Sequence, residues 1–413
     1  MSSTSTLGES LDALLRYGAL MLRSGEAAFR VREDMEILAP RLGIERFAML
    51  VTVTTLTASA WHGGEQLTLV QHVGPLGINA ARLGALERLV RDCPPTLTPA
   101  DLAARLGRVE SDTPQHPILL VALGVAAASA SFAWLNGGNA LEMLAAFVAG
   151  FGGQALRSKM LGHRLNQYVL AAVCGVAAAS FYSLAAAAFA RAGLAPGHGI
   201  GVVAAALFLV PGFPLVAALL DLLQDQIPAA LVRLAYGLLL LTTAAIGLGI
   251  VVAVVGFPAL AAPAPPLDRG TTLLLRGLLS FVGGCGFALL YNASWRTVLA
   301  VGLLAIPGNE LRLALEDAGA SQAAATFAGA LCVGLLASLA QHWLHERRIE
   351  LTVPGIIIMV PGSAALQSFV LFSRGDTLGG LQAGVTAVFV VGAMALGLSV
   401  ARFASERKWL FEH

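Results

Sequence analysis

The sequence predicts a polytopic α-helical membrane protein with a small soluble α+β domain at its N-terminus. Of the 413 residues, 57% are apolar and 12% are charged, whereas roughly 25% of the residues in a soluble domain carry charge. From about residue 117 onward, apolar runs of around 20 residues follow one another, and each is long enough to cross a bilayer as a helix. Two of these runs contain a proline–glycine pair near the middle, Pro211–Gly212 and Pro361–Gly362, and further pairs occur at Pro307–Gly308 and Pro354–Gly355.

Residues 1–116 form the predicted soluble domain, because their apolar residues recur at helical and strand spacings between turn signals. Ser24 is predicted to cap the second helix, which Gly43 ends, and Thr98 is predicted to cap the last helix. Strands rich in Val and Thr lie on both sides of a turn at 62–64. The predicted elements are helices over 7–22, 24–43, 79–91 and 99–106 and strands over 47–61 and 66–73, before a linker at 111–117.

Ten hydrophobic segments follow this domain, five in residues 117–256 and five in residues 271–403. A proline-rich connection at 257–270 separates the two sets, and residues 404–413 form a tail. Because five is an odd number, the second set starts from the opposite side of the membrane, so two inverted five-helix repeats are predicted. The segments are 118–135, 140–156, 167–190, 199–223, 229–256, 271–291, 296–307, 321–343, 352–372 and 378–402.

The arginines and lysines predict the orientation of the chain, since cytoplasmic loops carry an excess of these residues. With the N-terminal domain inside, the inner loops and the tail hold more of them than the outer loops. Residues 1–25 have scattered charges and no apolar core, so no signal peptide is predicted. We expect a multi-pass membrane protein with its N-terminal domain and C-terminus in the cytoplasm. The inner residues are Arg157, Lys159, Arg164, Arg233, Arg296, Arg347, Arg348, Arg407 and Lys408.

The second segment of each half is predicted to be short and interrupted. Residues 141–153 end in three closely spaced glycines, and residues 298–308 end in Pro307–Gly308. The sequence at 153–157 also resembles that at 308–312. These features support a pair of related halves.

The two Pro–Gly pairs predict broken helices, because proline removes one helical hydrogen bond and glycine lets the backbone open. Within lipid, the freed backbone groups are tolerated only where they are buried in protein or line a cavity. A half-helix that starts near Phe213 would present its N–H groups and dipole to an anion. A proline kink that only helps helices to pack is the alternative. The predicted substrate-binding residues are Pro211, Gly212, Phe213, Pro361, Gly362, Ser363 and Gln367.

Three acidic residues are predicted candidates for proton coupling, since ionisable groups at membrane depth are costly and usually functional. Asp221, ten residues after Pro211, is the first candidate, and Asp225 is expected one turn later on the same face. The alternative for Asp221 is a place at the water boundary, paired with Arg233. Glu142 opens the second segment and either accepts a proton or is simply hydrated.

Several other classes of protein are excluded. A formal net charge of +1 argues against a nucleic-acid partner. The two lysines, Lys159 and Lys408, do not end a P-loop, and no Gly-x-Ser-x-Gly elbow occurs, so neither ATP hydrolysis nor another enzyme activity is predicted. The four cysteines lack metal or redox spacing, and His342 and His345 are better explained as solvated interface residues than as ligands. No cofactor is predicted.

The sequence resembles the threonine/serine exporter family on short motifs that occur in order along the chain. Its second half resembles the smaller partner component of the family, which also exists as a separate chain, so this chain resembles the fused exporters. At Glu142 the family more often has aspartate. The motifs are Leu22–Val31 with Glu33 and Met35, Gly77–Asn79, Asn136–Glu142, Leu209–Gly212 with Asp221, Leu222 and Asp225, Val353–Gly355, Val360–Ser363 and Arg374–Asp376.

The resemblance implies export of L-threonine and L-serine coupled to the proton gradient. We therefore predict a secondary active exporter that works by alternating access around the two broken helices. Its predicted partners are a small-molecule substrate, protons and the lipid bilayer, and a homo-oligomer is compatible with this class. Split relatives are linked to export of dicarboxylates such as succinate, so a dicarboxylate exporter of the same architecture is the alternative. A receptor or scaffold that moves no solute is a rival that paired broken helices disfavour, and a channel is another.

Overall fold

The chain forms two compact units in a computed structural model. The first unit contains residues 1–115 and 217–236, and the second contains residues 116–216 and 237–413. Part of the predicted first membrane repeat thus groups with the N-terminal residues. The structure describes residues 7–163, 165–194, 200–256, 267–344, 348–361, 364, 367–368, 371–372 and 375–405.

The N-terminal part of the first unit packs helices against one face of an antiparallel sheet. Helix α1 lies at its centre, with Leu11, Leu14 and Leu22 fully buried. The strand order is β1-β2-β3, with Leu50 opposite Thr57 and Thr57 opposite Val70. The elements are α1 (Leu7–Arg23), α2 (Ala28–Arg41), β1 (Arg46–Val51), β2 (Thr55–His62), β3 (Glu65–His72), α3 (Ala80–Arg91) and α4 (Pro99–Asp112).

Two local predictions for this unit were wrong and one is confirmed. Ser24 does not cap α2, since its hydroxyl donates to Leu20 O and the helix starts four residues later. The predicted strand over 47–61 is two strands, because Thr52 Oγ1 accepts the N–H of Thr55 and closes a turn. Thr98 caps α4 as predicted, accepting the N–H of Asp101 at 3.1 Å.

The described residues beyond position 117 are almost entirely helical. Seven of the described helices are long and apolar enough to cross a membrane, so the chain is a multi-pass membrane protein. These seven are α5, α7, α10, α11, α12, α13 and α15, and the predicted number of ten segments stays a prediction. The helices are α5 (Ile118–Leu135), α6 (Ala140–Leu161), α7 (Gln167–Arg191), α8 (Ile200–Ala205), α9 (Gly212–Leu222), α10 (Ile227–Val255), α11 (Arg269–Leu290), α12 (Trp295–Asp317), α13 (Gln322–Leu344), α14 (Arg348–Ile357) and α15 (Thr377–Ser405).

The first three helices of each half pack in the same way. Helix α5 contacts α6, and α6 contacts α7; α11 contacts α12, and α12 contacts α13. A β-carbon built on Gly150 would lie 3.0 Å from Ser129 Cβ, and one built on Gly284 would lie 3.0 Å from Ala305 Cβ. Gly150 and Ala305 are 155 residues apart, as are Ser129 and Gly284. The same contact therefore recurs at one sequence offset.

The last long helix of each half also makes a matched contact. Gly247 of α10 lies against the carbonyl oxygen of Ala172 in α7, and Gly397 of α15 lies against that of Phe327 in α13. Ala172 and Phe327 are again 155 residues apart, whereas Gly247 and Gly397 are 150 apart, the same offset as Pro211 and Pro361. Small residues are what allow membrane helices to approach this closely.

The predicted interruptions in the second segments were wrong, because α6 and α12 run through them as continuous helices. The glycines there lie where neighbouring helices contact α6 and α12, and they do not interrupt these helices. A β-carbon built on Gly153 would lie 3.4 Å from Ala178 Cβ, and Gly308 lies against Val333. These two contacts are also 155 residues apart, so the resemblance between 153–157 and 308–312 reflects equivalent packing.

We expect Gly397→Ala to lower the unfolding temperature of the purified protein in detergent. The added β-carbon would lie 2.6 Å from Phe327 O, and relief of such overpacking typically costs about 1–3 kcal/mol. Gly392→Ala on the same helix is the matched control, since its β-carbon would meet no atom within 4 Å. Equal unfolding temperatures for the two variants would contradict the contact.

Candidate functional site

The first Pro–Gly pair lies between two helices. Helix α8 ends at Ala205, a short 3₁₀ helix spans Leu207–Leu209, and Val210 is extended before α9 begins at Gly212. Pro211, Gly212 and Phe213 are all buried. The secondary structure of the chain is therefore interrupted at residues that are buried from solvent.

The start of α9 offers fewer donors than a regular helix start. The N–H of Gly212 is bonded to Val210 O at 2.8 Å, and that of Leu215 is bonded to Pro211 O at 3.1 Å. Pro214 has no N–H. Among the described residues, this leaves the amide of Phe213 as the free donor of the first turn.

The second Pro–Gly pair follows the end of α14 at Ile357. The N–H groups of Met359 and Val360 bond back to Ile356 and Ile357, and Pro361 is buried. Gly362 and Ser363, which the sequence analysis placed in the site, lie outside the described residues. Gln367 is exposed, so its side chain does not line a buried part of the site.

The two Pro–Gly segments meet in space. A β-carbon built on Gly212 would lie 3.4 Å from Ile357 Cγ1 and 3.6 Å from Val360 Cγ2, at ordinary contact distance. Residues that are 145 to 148 positions apart in the sequence thus form one contact, which we call the break junction. It consists of residues 210–213 and 357–361.

Apolar and aromatic groups surround the break junction. Phe213 packs edge-to-face on Tyr291, with ring centroids 5.7 Å apart. Ile358 lies against Gly283 of α11, and Met359 Cε would lie 3.0 Å from a β-carbon on Gly308 of α12. The junction is therefore held by the first two helices of the second half.

A buried amide in α6 follows a glycine that packs against the segment before the first break. Gly153 of α6 lies against Phe208, just before the first break, with 2.8 Å from a built β-carbon to Phe208 Cζ. The following residue, Gln154, is 3% exposed and donates from Nε2 to Ser158 Oγ. Its Oε1 has no hydrogen-bond partner among the described residues. A buried acceptor without a donor is costly and often marks a ligand or water position.

Glu142 is fully buried at the start of α6, so the alternative of a hydrated side chain was wrong. It forms a capping box with Asn139, in which Glu142 Oε2 accepts the Asn139 N–H at 3.0 Å and Asn139 Oδ1 accepts the Glu142 N–H at 2.9 Å. The N–H of Gly201 in α8 also donates to Glu142. Tyr182 of α7 lies against Gly201. Glu142 therefore connects α6 to the short helix that leads to the first break.

Asp221 is also fully buried, and it forms an ion pair with Arg233, with 3.3 Å between Oδ2 and Nε. This is the pairing that the sequence analysis left open as an alternative to proton coupling. Asp225 does not share a helical face with Asp221, because α9 ends at Leu222 and Asp225 is an exposed turn residue with φ 54°. The expectation for Asp225 failed because nothing in the local sequence forces the helix to end there.

Sequence reasoning missed a group of buried charges at the start of α14. Arg348 and Glu350 are buried there, and Arg402 of α15 is buried as well. Arg348 donates to Ser405 Oγ at 2.8 Å and to Gly334 O at 3.0 Å. The signal was present in the sequence, since two charges open an apolar segment that later contains a Pro–Gly pair.

The long apolar helices define a multi-pass membrane protein, and a match to a family of exporters places it in the transporter class. The chain belongs to the threonine/serine exporter family, because a family profile described as "Putative threonine/serine exporter" matches residues 12–255. A second profile, "Threonine/Serine exporter, ThrE", matches residues 276–404. The resemblance stated from the motifs is thereby confirmed.

Two similar proteins match along nearly the whole chain. One, from Mycobacterium tuberculosis (strain ATCC 25618 / H37Rv), is named "Probable threonine/serine exporter"; it is 28% identical over 407 residues, which are 94% of this chain and 74% of the relative. The other, "Threonine/serine exporter" from Corynebacterium glutamicum, is 25% identical over 408 residues, 96% of this chain and 82% of the relative. No solved structure matches the chain.

We expect Gly212→Leu to destabilise the protein, because the new side chain would need the space that Ile357 and Val360 occupy. Overpacking of this kind costs about 1–3 kcal/mol. Adding Ile357→Ala to this variant would free space and recover part of the loss, so the two effects would be non-additive. Thermal unfolding of the two single variants and the double variant in detergent measures this, and strictly additive effects would contradict the break junction.

Proposed function

We propose that the chain is a secondary active exporter of small hydrophilic amino acids, with threonine or serine as substrate. The observation that carries this proposal is the break junction, where the chain around Pro211 lies against the chain from Ile357 to Pro361 inside the membrane unit. Membership of the threonine/serine exporter family supports the substrate class. A pure anchor or scaffold has no need of two helices broken at one place, since each break costs backbone hydrogen bonds.

The proposed mechanism is alternating access of two inverted five-helix repeats around the break junction. The matched contacts support this arrangement, because they recur at offsets of 155 residues in the first three helices and 150 in the last ones. The two halves also meet directly, with Gly286 of α11 against the carbonyl oxygen of Gly124 in α5. In this mechanism one half rocks against the other, and the junction opens to each side in turn.

The substrate carboxylate is proposed to bind at the start of α9. The free N–H of Phe213 and the helix dipole both favour negative charge there. The substrate ammonium group needs acceptors, and we assign this role to the carbonyl groups left by the breaks and to the buried Gln154 Oε1. A dicarboxylate would gain nothing from those acceptors, which supports the amino-acid substrate.

Glu142 is the carboxyl group that we propose for proton coupling. It is fully buried and contacts the start of α8, so a change in its protonation would act on the segment that leads to the first break. Asp221 is the other buried candidate, and its ion pair with Arg233 supports the structural alternative. The exposed position of Asp225 gives no support to a role at membrane depth.

The proposed location is the bacterial inner membrane, with both termini in the cytoplasm. The excess of arginine and lysine in one set of loops supports this orientation. In it, the N-terminal domain faces the compartment from which substrate is exported.

Counterflow in proteoliposomes tests the proposed function. We expect vesicles loaded with unlabelled threonine or serine to accumulate the labelled compound, and an imposed pH gradient to increase this accumulation. Succinate is the comparison substrate. Uptake of succinate alone would move the protein to the dicarboxylate branch, and uptake of none of the three compounds would contradict the proposal. Uptake that does not saturate would indicate a channel.

We expect Glu142→Gln to keep counterflow but to abolish accumulation driven by the pH gradient. Glutamine retains a carbonyl oxygen for the Asn139 and Gly201 amides but cannot release a proton. Glu65→Gln is the control, since Glu65 is exposed in the N-terminal domain. Gradient-driven accumulation in Glu142→Gln at the rate of this control would exclude Glu142 as the proton carrier.

A further inference from the structure

The start of α2 is capped by a residue from a distant part of the chain. Ala27, at the N-cap position, makes no side-chain hydrogen bond to the helix. Instead, Asp221 Oδ1 accepts the N–H of Ala28 at 2.7 Å and that of Phe29 at 3.4 Å, across 193 and 192 sequence positions. A carboxylate at this place satisfies two unpaired donors and complements the helix dipole.

Arg233 completes the same contact from α10. Its Nη2 donates to the carbonyl oxygen of Glu26 at 2.8 Å, and its Nε faces Asp221 Oδ2 at 3.3 Å. Arg233 is 3% exposed and Asp221 is 0% exposed. Buried charges of this kind persist only when they are paired and hydrogen-bonded. We call these two residues the domain latch.

Apolar packing continues the contact beside the domain latch. Ala229, in the first turn of α10, is fully buried in the same hydrophobic core as α1 and the sheet. Residues 217–236 therefore complete the core of the N-terminal domain.

Backbone hydrogen bonds stabilise the turn before α2, which the domain latch contacts. Gly25 turns the chain between α1 and α2 with φ 104°. The N–H of Gly77 bonds to Arg23 O at 3.1 Å, and that of Asn79 bonds to Ser24 O at 2.9 Å. The backbone that Asp221 and Arg233 contact therefore belongs to the motif at residues 22–31, which the motif at residues 77–79 supports. No proposed transport step uses either motif.

We infer that Asp221 and Arg233 are positioning residues for transport, through which the N-terminal domain controls α9. Helix α9 is continuous from the break junction at Gly212 to Leu222, so the domain latch holds the far end of the helix whose start is proposed to bind substrate. A rigid helix transmits a displacement of one end to the other. This inference rests on the proposed function, and it gives the N-terminal domain a role in transport.

The test uses the full-length protein with Asp221→Asn, Arg233→Gln, Arg233→Lys and the double variant Asp221→Asn/Arg233→Gln. Asparagine keeps an acceptor for the two amides but loses the charge that faces Arg233, and lysine keeps the charge of Arg233 but loses its fork of donors. Arg16→Gln is the control, because it breaks an exposed ion pair with Glu110 in the same domain. The two measurements are hydrogen exchange of the peptide over residues 27–30 and the kinetics of threonine counterflow.

We expect both neutral single variants to speed exchange at residues 27–30 and to lower the maximal transport rate by about tenfold with little change in KM. The double variant should be no slower than the worse single variant, since it leaves no unpaired buried charge, and Arg233→Lys should retain more activity than Arg233→Gln. Arg16→Gln should match the unsubstituted protein in both measurements.

Faster exchange with an unchanged transport rate would overturn the positioning role while leaving the proposed function intact. Unchanged exchange in both neutral variants would overturn the domain latch itself. A raised KM at an unchanged maximal rate would assign these residues to substrate binding and also overturn the inference. If the unsubstituted protein moves no substrate, the proposed function fails separately, and with it the inference.

Discussion

The need to satisfy backbone hydrogen bonds within a membrane is the constraint on which this structure depends. A helix that breaks inside the apolar region exposes N–H and C=O groups, which lipid cannot satisfy. Here the segments 210–213 and 357–361 lie against each other, and a side chain much larger than a methyl group at Gly212 would extend into Ile357 and Val360. The buried aromatic pair of Phe213 and Tyr291 closes the same region. Each break is therefore shielded by protein.

Close approach of helices through small residues explains how the rest of the membrane unit supports that junction. Gly247 and Gly397 bring a late helix of each half against a backbone carbonyl of the third helix, and Gly153 and Gly308 let the second helix approach the side chains of Ala178 and Val333 in the third. Dispersion contacts of this kind replace the hydrophobic effect, which gives helices no reason to associate in lipid. Several of these contacts recur at matching positions of the two halves, at a sequence offset of 155 or 150 residues.

Local sequence signals predicted the apolar helices, most N-terminal elements and the interruption of the helix before Pro211. The same signals failed at Gly150–Gly153 and Pro307–Gly308, since glycine or proline in a helix marks either a break or a close contact, and only the packing partner decides which. Asp221 shows a second limit. Its sequence neighbourhood left proton coupling and pairing with Arg233 equally open, and nothing local indicated that its carboxylate caps a helix 193 residues earlier. Contacts between distant segments decided the outcome at each of these sites.

The residues that the two family profiles match agree with the contacts between the N-terminal domain and the first half. One profile covers residues 12–255, which include the N-terminal domain and the first half, and the other covers residues 276–404. The backbone of Glu26, Ala28 and Phe29 bonds to the buried Asp221–Arg233 pair, and Ala229 lies in the hydrophobic core of the N-terminal domain. Separating the domain from the first half would therefore remove the backbone partners of Asp221 and Arg233. The two halves instead meet through helix faces, such as Gly124 on Gly286, which two separate chains are able to form. The two profiles accordingly match the two halves separately.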